Sequence, residues 1–223
     1  MFEKSVSLDP KYAMAYSLMS LTHLLEWIFG WSQDPKSLER AFKLGQEAVS
    51  LDDSLAGAHL VLGMVHLWKK QHEKSIAELE KVLSLEPNNA DGYAMLGNAF
   101  TWAGRFEEAI EAVEKAIRLN PYHPAMYLFR LGQAYGLMGD HEKAVEALKT
   151  ALNRDPKLLP VHAFLAFVYM EMGRKEEARA QMAEYMAQNP DYSQDVIRET
   201  FPLKDHMRLE SIVESLRKAG LPD

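Results

Sequence analysis

At 223 residues, 48% hydrophobic and 26% charged, the chain has the make-up of a folded protein of one or two domains rather than a disordered one. Its 25 basic and 32 acidic residues leave a formal net charge of -7, which repels phosphate backbones and anionic lipid and argues against a nucleic-acid partner. With no cysteine there is no disulfide scaffold, thiolate metal site or cysteine nucleophile, and the most apolar run, Leu18 to Trp31, is interrupted by Thr22, His23 and Glu26, which argues against membrane insertion. A soluble protein follows, with the cytoplasm as its default location.

Residues 1–10 end in Val6-Ser7-Leu8-Asp9-Pro10, which reads as the tail of a helix whose partner is missing, the end of a truncated repeat. Residues 11–55 form a longer unit: a helix from Ala13 through Tyr16 and Met19, and a second containing Ala41 and Ala48 that ends at Leu51-Asp52-Asp53-Ser54. The spacing from Pro10 to Asp53 is 43 residues, and the extra length lies in the loop "FGWSQDP". There Asp34 can cap a helix beginning at Pro35, because a proline at the first helical position loses no needed hydrogen bond.

A period then sets in. Pro87, Pro121, Pro156 and Pro190 each close an acidic or Asn-ended segment ("LSLEP", "IRLNP", "LNRDP", "MAQNP") at spacings of 34, 35 and 34. Units are expected at 56–89, 90–124, 125–158 and 159–191. In phase with them run Leu62-Gly63, His66 and Ser75; Leu96-Gly97, Phe100 and Ala109; Leu131-Gly132, Tyr135 and Ala144; and Leu165-Ala166, Tyr169 and Ala178. His66 and Ser75 depart from an otherwise aromatic and alanine pattern. Beyond Pro190 the period stops, and residues 192–223 read as capping helices: "YSQDVIRETFP", ended by Pro202, then a helix with Asp205 as cap, Leu209, Ile212, Val213 and Leu216 on one face, and Gly220 at its end. An exposed last hydrophobic face needs such a cover.

This pattern resembles the tetratricopeptide repeat, a helix–turn–helix unit, with Ala90 to Pro121 close to a full match. The resemblance implies an all-α fold, a right-handed α-α superhelix or solenoid with C-terminal capping helices. It places Gly97 and Ala109 where two helices cross and Gly104 in the turn, with bulk supplied by Leu96, Phe100, Phe106, Ile110 and Val113. A second likeness is narrower. "GWSQDP" and "LRKAGLPD" resemble the C-terminal repeat regions of bacterial proteins that begin with a class III adenylate or guanylate cyclase domain, or with a winged-helix domain. That likeness implies an accessory region of a signalling protein, with no cyclase segment in these residues.

Residues for chemistry are sparse. His59 and His66 lie seven positions apart on one helix, about 10 Å along its axis, too far to share a metal ion. Packing plus one hydrogen bond is the expectation for them. No phosphate-binding glycine loop or nucleophile elbow is present, and Glu107/Glu108 and Glu176/Glu177 stand at helix starts, where negative charge suits the helix dipole. Neither enzyme activity nor any cofactor or metal is expected.

What the repeat resemblance does imply is a concave groove lined by the first helix of each unit. Here those positions hold Leu60, Met64, Leu67 and Trp68; Asp91, Ala94, Asn98, Thr101 and Trp102; Met126, Phe129, Gln133, Gly136 and Leu137; and Ala163, Phe167 and Met170, with Arg130 beside them. Such a Met-rich, Trp-bearing surface suits adaptable binding, although the same side chains serve equally to pack one unit on the next. Trp68 and Trp102 occupy the same place in successive units and are expected side by side. The carboxylate clamp of chaperone-tail-binding repeats is not matched: its places hold Leu60, Met64, Met95, Met126 and Arg130, or Ala94, Asn98, Arg130, Pro160 and Phe164. The sequence therefore points to a protein or peptide partner, an apolar helix or extended segment, whose binding weakens in Trp68→Ala, Trp102→Ala or Phe129→Ala while the fold survives. Self-association around Phe2 or the last helix, contact with a fused N-terminal domain, and partial filling of the groove by the chain itself are the alternatives.

Overall fold

The computed structural model describes residues 2–28, 30, 31, 34 and 36–222. Among them stand thirteen helices and no strand: α1 (Phe2–Leu8), α2 (Ala13–Ile28), α3 (Ser37–Leu51), α4 (Ala56–Trp68), α5 (His72–Leu85), α6 (Ala90–Ala103), α7 (Phe106–Leu119), α8 (Ala125–Met138), α9 (His141–Arg154), α10 (Pro160–Glu171), α11 (Lys175–Gln188), α12 (Gln194–Thr200) and α13 (His206–Ala219). Helices from α2 to α11 pair as successive hairpins, and each hairpin packs on the next to form a tetratricopeptide-type superhelix.

Small residues set how closely the two helices of a hairpin approach. A Cβ built on Gly97 of α6 would lie 2.5 Å from Val113 Cγ2 and 2.9 Å from the Ala109 carbonyl oxygen of α7, so a hydrogen atom is the largest group that fits unshifted. Gly132 meets Leu148 at 2.6 Å in the equivalent way, and Ala109 and Ala144 are fully buried. Leu96, Phe100 and Val113 fill the space around that crossing, with Phe106 and Ile110 half-buried at its margin.

The turn after each first helix needs a left-handed residue. Gly104 supplies it with φ 82°, and the N–H groups of Gly104 and Arg105 return to the Thr101 and Phe100 carbonyls at 3.1 and 2.9 Å. Gly139 and Gly173 repeat the device, but the unit at 56–89 places Lys70 there with φ 58°. A Cβ in that region costs roughly 1–2 kcal/mol. Lys70→Gly is therefore expected to raise stability by about 1 kcal/mol, read as an increased urea midpoint. A lowered midpoint would mean that the Lys70 Nζ hydrogen bond to the Arg198 carbonyl, 3.2 Å long, contributes more than the backbone strain removes.

The enlarged loop of the first hairpin leads into α3. Asp34 accepts the Lys36 N–H at 2.9 Å and pairs with Arg40 at 3.0 Å just ahead of α3, but it is not the cap: Lys36 takes that position without a side-chain cap bond, and the regular helix begins at Ser37. Pro35, the expected first residue, lies outside the described residues, as do Ser32 and Gln33 of the same loop. Ala41 and Ala48 are fully buried against α2, where Ser20 Oγ donates to the Ala41 carbonyl at 2.6 Å.

The histidines at aromatic positions are absorbed into packing. His66 lies edge-on to Phe42 and holds Gln71 through Nδ1 at 2.7 Å, and burial pushes its pKa down because the charged ring would lose its water. His59 makes one more hydrogen bond than expected: Nδ1 faces Glu78 at 2.6 Å and Nε2 faces the Asp53 carbonyl at 2.9 Å.

After α11 the chain departs from the repeat. Ser193 caps α12, and Asp205 caps α13 by accepting the N–H groups of Met207 and Arg208 at 2.9 and 3.1 Å. Leu209, Ile212, Val213 and Leu216 of α13 cover the apolar face of α10, and Gly220 ends the helix in the left-handed region. This is the capping arrangement that an unfinished solenoid end requires. The stretch between α12 and α13 does something further.

Candidate protein-binding groove

The first helices of the hairpins, α4, α6, α8 and α10, line one inner face, and the C-terminal stretch lies across it. Residues 198–208 run past the C-terminal ends of these helices. Pro202 presents its carbonyl to His72 Nε2 at the start of α5, 2.5 Å away. The Lys204 N–H donates to the Trp102 carbonyl at the end of α6, 2.9 Å away. Arg208 reaches the Leu137 carbonyl at the end of α8 at 3.0 Å, and Ser215 Oγ donates to Glu171 of α10 at 2.8 Å. The chain's own segment thus lies across the ends of these helices, with Phe201 against Trp102.

That segment explains where the groove residues lie. Trp102 is 4% exposed, its ring edge-on to Phe201 at 5.4 Å and to Phe164 at 6.4 Å. Its indole N–H donates to Asn98 Oδ1 at 3.1 Å, so Asn98 serves the tryptophan from within the same helix. Phe129 packs edge-on to Phe164 at 5.5 Å, and Phe167 and Leu67 are buried in the same cluster. Thr101 is fully buried and donates to the Gly97 carbonyl at 2.9 Å, and Gln133 is buried as well. The expectation that Trp102 and Phe129 could be truncated with the fold intact is corrected by this burial: both rings are core, Trp102 against Phe201 and Phe129 against Phe164. Trp68 also parts company with Trp102. It is half-buried and turns to Trp27 of α2, ring centroids 5.6 Å apart.

Leu60, Met64, Trp68, Met126, Arg130 and Met170 are half-buried, and they form the accessible remainder of the predicted set. Arg130 stands near Asp91 and Tyr127, and burial holds its pKa down to about 10 against the raising influence of both. Asp91, expected on the groove, instead accepts the Tyr127 hydroxyl at 2.6 Å and ties α6 to α8; burial, then this bond, pushes the phenol pKa upward.

Sequence reasoning missed His72, Phe201 and Leu203 as groove residues. The signal was there in "TFPLKD", where three successive apolar residues stand in a connection that turn chemistry alone would make polar.

Two family models match the chain: the cytochrome c-type biogenesis protein H TPR domain over residues 79–195, and the tetratricopeptide repeat over residues 56–89. No curated protein matches it. Among solved structures, a thermophilic TPR protein of Thermus thermophilus is similar at a TM-score of 0.68 and 22% identity, covering 91% of this chain and 99% of that one. The APC/C hetero-tetramer Cut9-Hcn1 matches at 0.72 and 20% identity, over 96% of this chain and 38% of that one. YrrB, a TPR protein with an unusual peptide-binding site, matches at 0.52 and 21% identity, over 94% and 96% of the two chains. At these identities the likenesses establish the fold. Among the described residues no helix is long and apolar enough to cross a membrane.

Proposed function

The chain belongs to the family of the cytochrome c-type biogenesis protein H TPR domain, and from that premise we propose that it is a non-catalytic scaffold that grips a segment of a partner protein in its concave groove. The observation that carries the reading is that the groove already holds a peptide segment through main-chain hydrogen bonds, at His72 and at Trp102, with apolar rings on either side. A surface that binds extended backbone in this way can bind it from another chain. The family's description directs the search for that partner to the biogenesis of c-type cytochromes. Membership of a cyclase-type signalling protein rests on "GWSQDP" and "LRKAGLPD" alone, and Ser32, Gln33, Pro35 and Asp223 of those stretches lie outside the described residues.

Site-specific photocrosslinking tests the proposal. A photoreactive residue replacing Leu60 or Met126, half-buried on the first helices, is expected to trap a partner in cells of the source organism, whereas one replacing Glu146, exposed on α9, is not. Equal trapping from all three positions, or none from the first two, would remove the groove from consideration. Fractionation of the same cells reports the compartment.

A further inference from the structure

We propose that the groove reads an extended peptide of aromatic-proline-aliphatic-basic chemistry, that Phe201–Lys204 is a resident copy of that ligand, and that a partner protein binds by displacing it. This deepens the groove reading above and rests on it. The resident segment shows what each part of the surface recognises. Phe201, extended at φ -66° and ψ 123°, sets its ring against Trp102 and stacks on Phe164 at 6.4 Å. Pro202 is buried and brings no N–H to be satisfied there, while its carbonyl accepts the His72 Nε2–H. Leu203 is 2% exposed. Lys204 fixes the register twice, its N–H on the Trp102 carbonyl and its ammonium on Glu73 at 3.1 Å.

The same segment is placed to leave. It is a strap between two anchored points: Tyr192 packs edge-on to Tyr185 at 4.8 Å before it, and α13 is docked on α10 after it. Its seam with the repeats keeps small imperfections. A cavity of about 10 Å³ remains between Phe201, Phe164, Phe167 and the α13 residues Ile212 and Leu216, and Arg208 Nε is buried without a hydrogen-bond partner. Phe201 itself is only half-buried, and the Lys204–Glu73 pair is solvent-exposed, so water competes with it. Segments with few sealed contacts open at lower free energy than the elements around them. An incoming peptide with the same four residue types inherits every contact the strap gives up.

The test uses the full chain carrying Phe201→Asp and Leu203→Asp, which places two carboxylates where the strap buries apolar groups. The probe is a fluorescent peptide with the sequence of residues 198–206, RETFPLKDH. We expect it to bind the doubly substituted chain at least tenfold tighter than the wild type, and to lose that binding when its Phe or Pro is replaced by Ala or when His72→Ala is added to the chain. Equal binding to both chains, or none to a substituted chain whose helical circular dichroism is intact, would overturn the proposal. Peptides selected from a displayed random library on the same chain separate the two levels of inference. Enrichment of the four-residue chemistry supports both. Enrichment of unrelated peptides that His72→Ala still weakens overturns the motif and leaves the groove standing, and no enrichment ends both. A wild type that sediments as a dimer exchanging residues 194–205 would overturn displacement by a partner and assign the groove to a second copy.

Discussion

Gly97→Ala is expected to destabilise the fold by about 2–3 kcal/mol, the range of an overpacked core, although the same change in an open helix gains up to about 1 kcal/mol. The added methyl would sit 2.5 Å from Val113 Cγ2 and 2.9 Å from the Ala109 carbonyl oxygen. Neither can yield cheaply. A β-branched side chain in a helix is held to one rotamer, and the carbonyl is part of the α7 backbone. The helices must therefore move apart, which loosens the crossing that Ala109 and Val113 fill. Urea unfolding measures the loss, and Gly57→Ala serves as the control, since nothing lies within 4 Å of a Cβ built there. If the clash is the cause, Val113→Ala partly rescues Gly97→Ala, so that the double variant loses at least about 1 kcal/mol less than the sum of the singles. Strict additivity would show that close approach at Gly97 is not what holds α6 to α7.

Trp102→Ala is expected to cost about 3–5 kcal/mol, as for other large-to-small changes at buried aromatic sites. The ring joins two layers, Phe164 of α10 on one side and Phe201 on the other, and its N–H leaves Asn98 Oδ1 without this donor when removed. The loss should therefore show both in the urea midpoint and in earlier proteolysis within residues 194–205. Trp68→Ala, at the equivalent place but half-buried, is expected to cost about half as much. Equal costs at the two positions would contradict the role assigned to the C-terminal strap.

The repeat architecture was legible because local rules and packing agree at each unit. The prolines after each second helix, the glycine in the turn and the glycine–alanine crossing all obey short-range chemistry that recurs in phase. Asp205 and Gly220 were legible for the same reason, since capping involves only neighbours in the chain. The fate of the groove was not. Trp102 has the same residue type and unit position as Trp68, so nothing local distinguishes a ring roofed by Phe201 from one that reaches back to Trp27. That difference is made by a segment about a hundred residues downstream, where Pro202 meets His72 at a separation of 130. Asp91 illustrates the same limit, since its partner Tyr127 lies one unit away.

The strap that joins Pro202 to His72 also has a mechanical meaning. A stack of hairpins that touch only their neighbours behaves as a coiled spring, free to change pitch a little at every junction, with stability that adds up along one dimension. Here a tie runs across the coil from the α4–α5 turn to α10, through α6 and α8. Any stretch or twist of those turns must first break the tie. While it holds, the coils from α4 to α11 are locked at one pitch and melt together, whereas the hairpin of α2 and α3 lies outside the tie and keeps its own elasticity. Unfastening the strap thus converts a clamped spring into a compliant one, and the curvature of the whole array becomes adjustable at the moment its inner face is exposed.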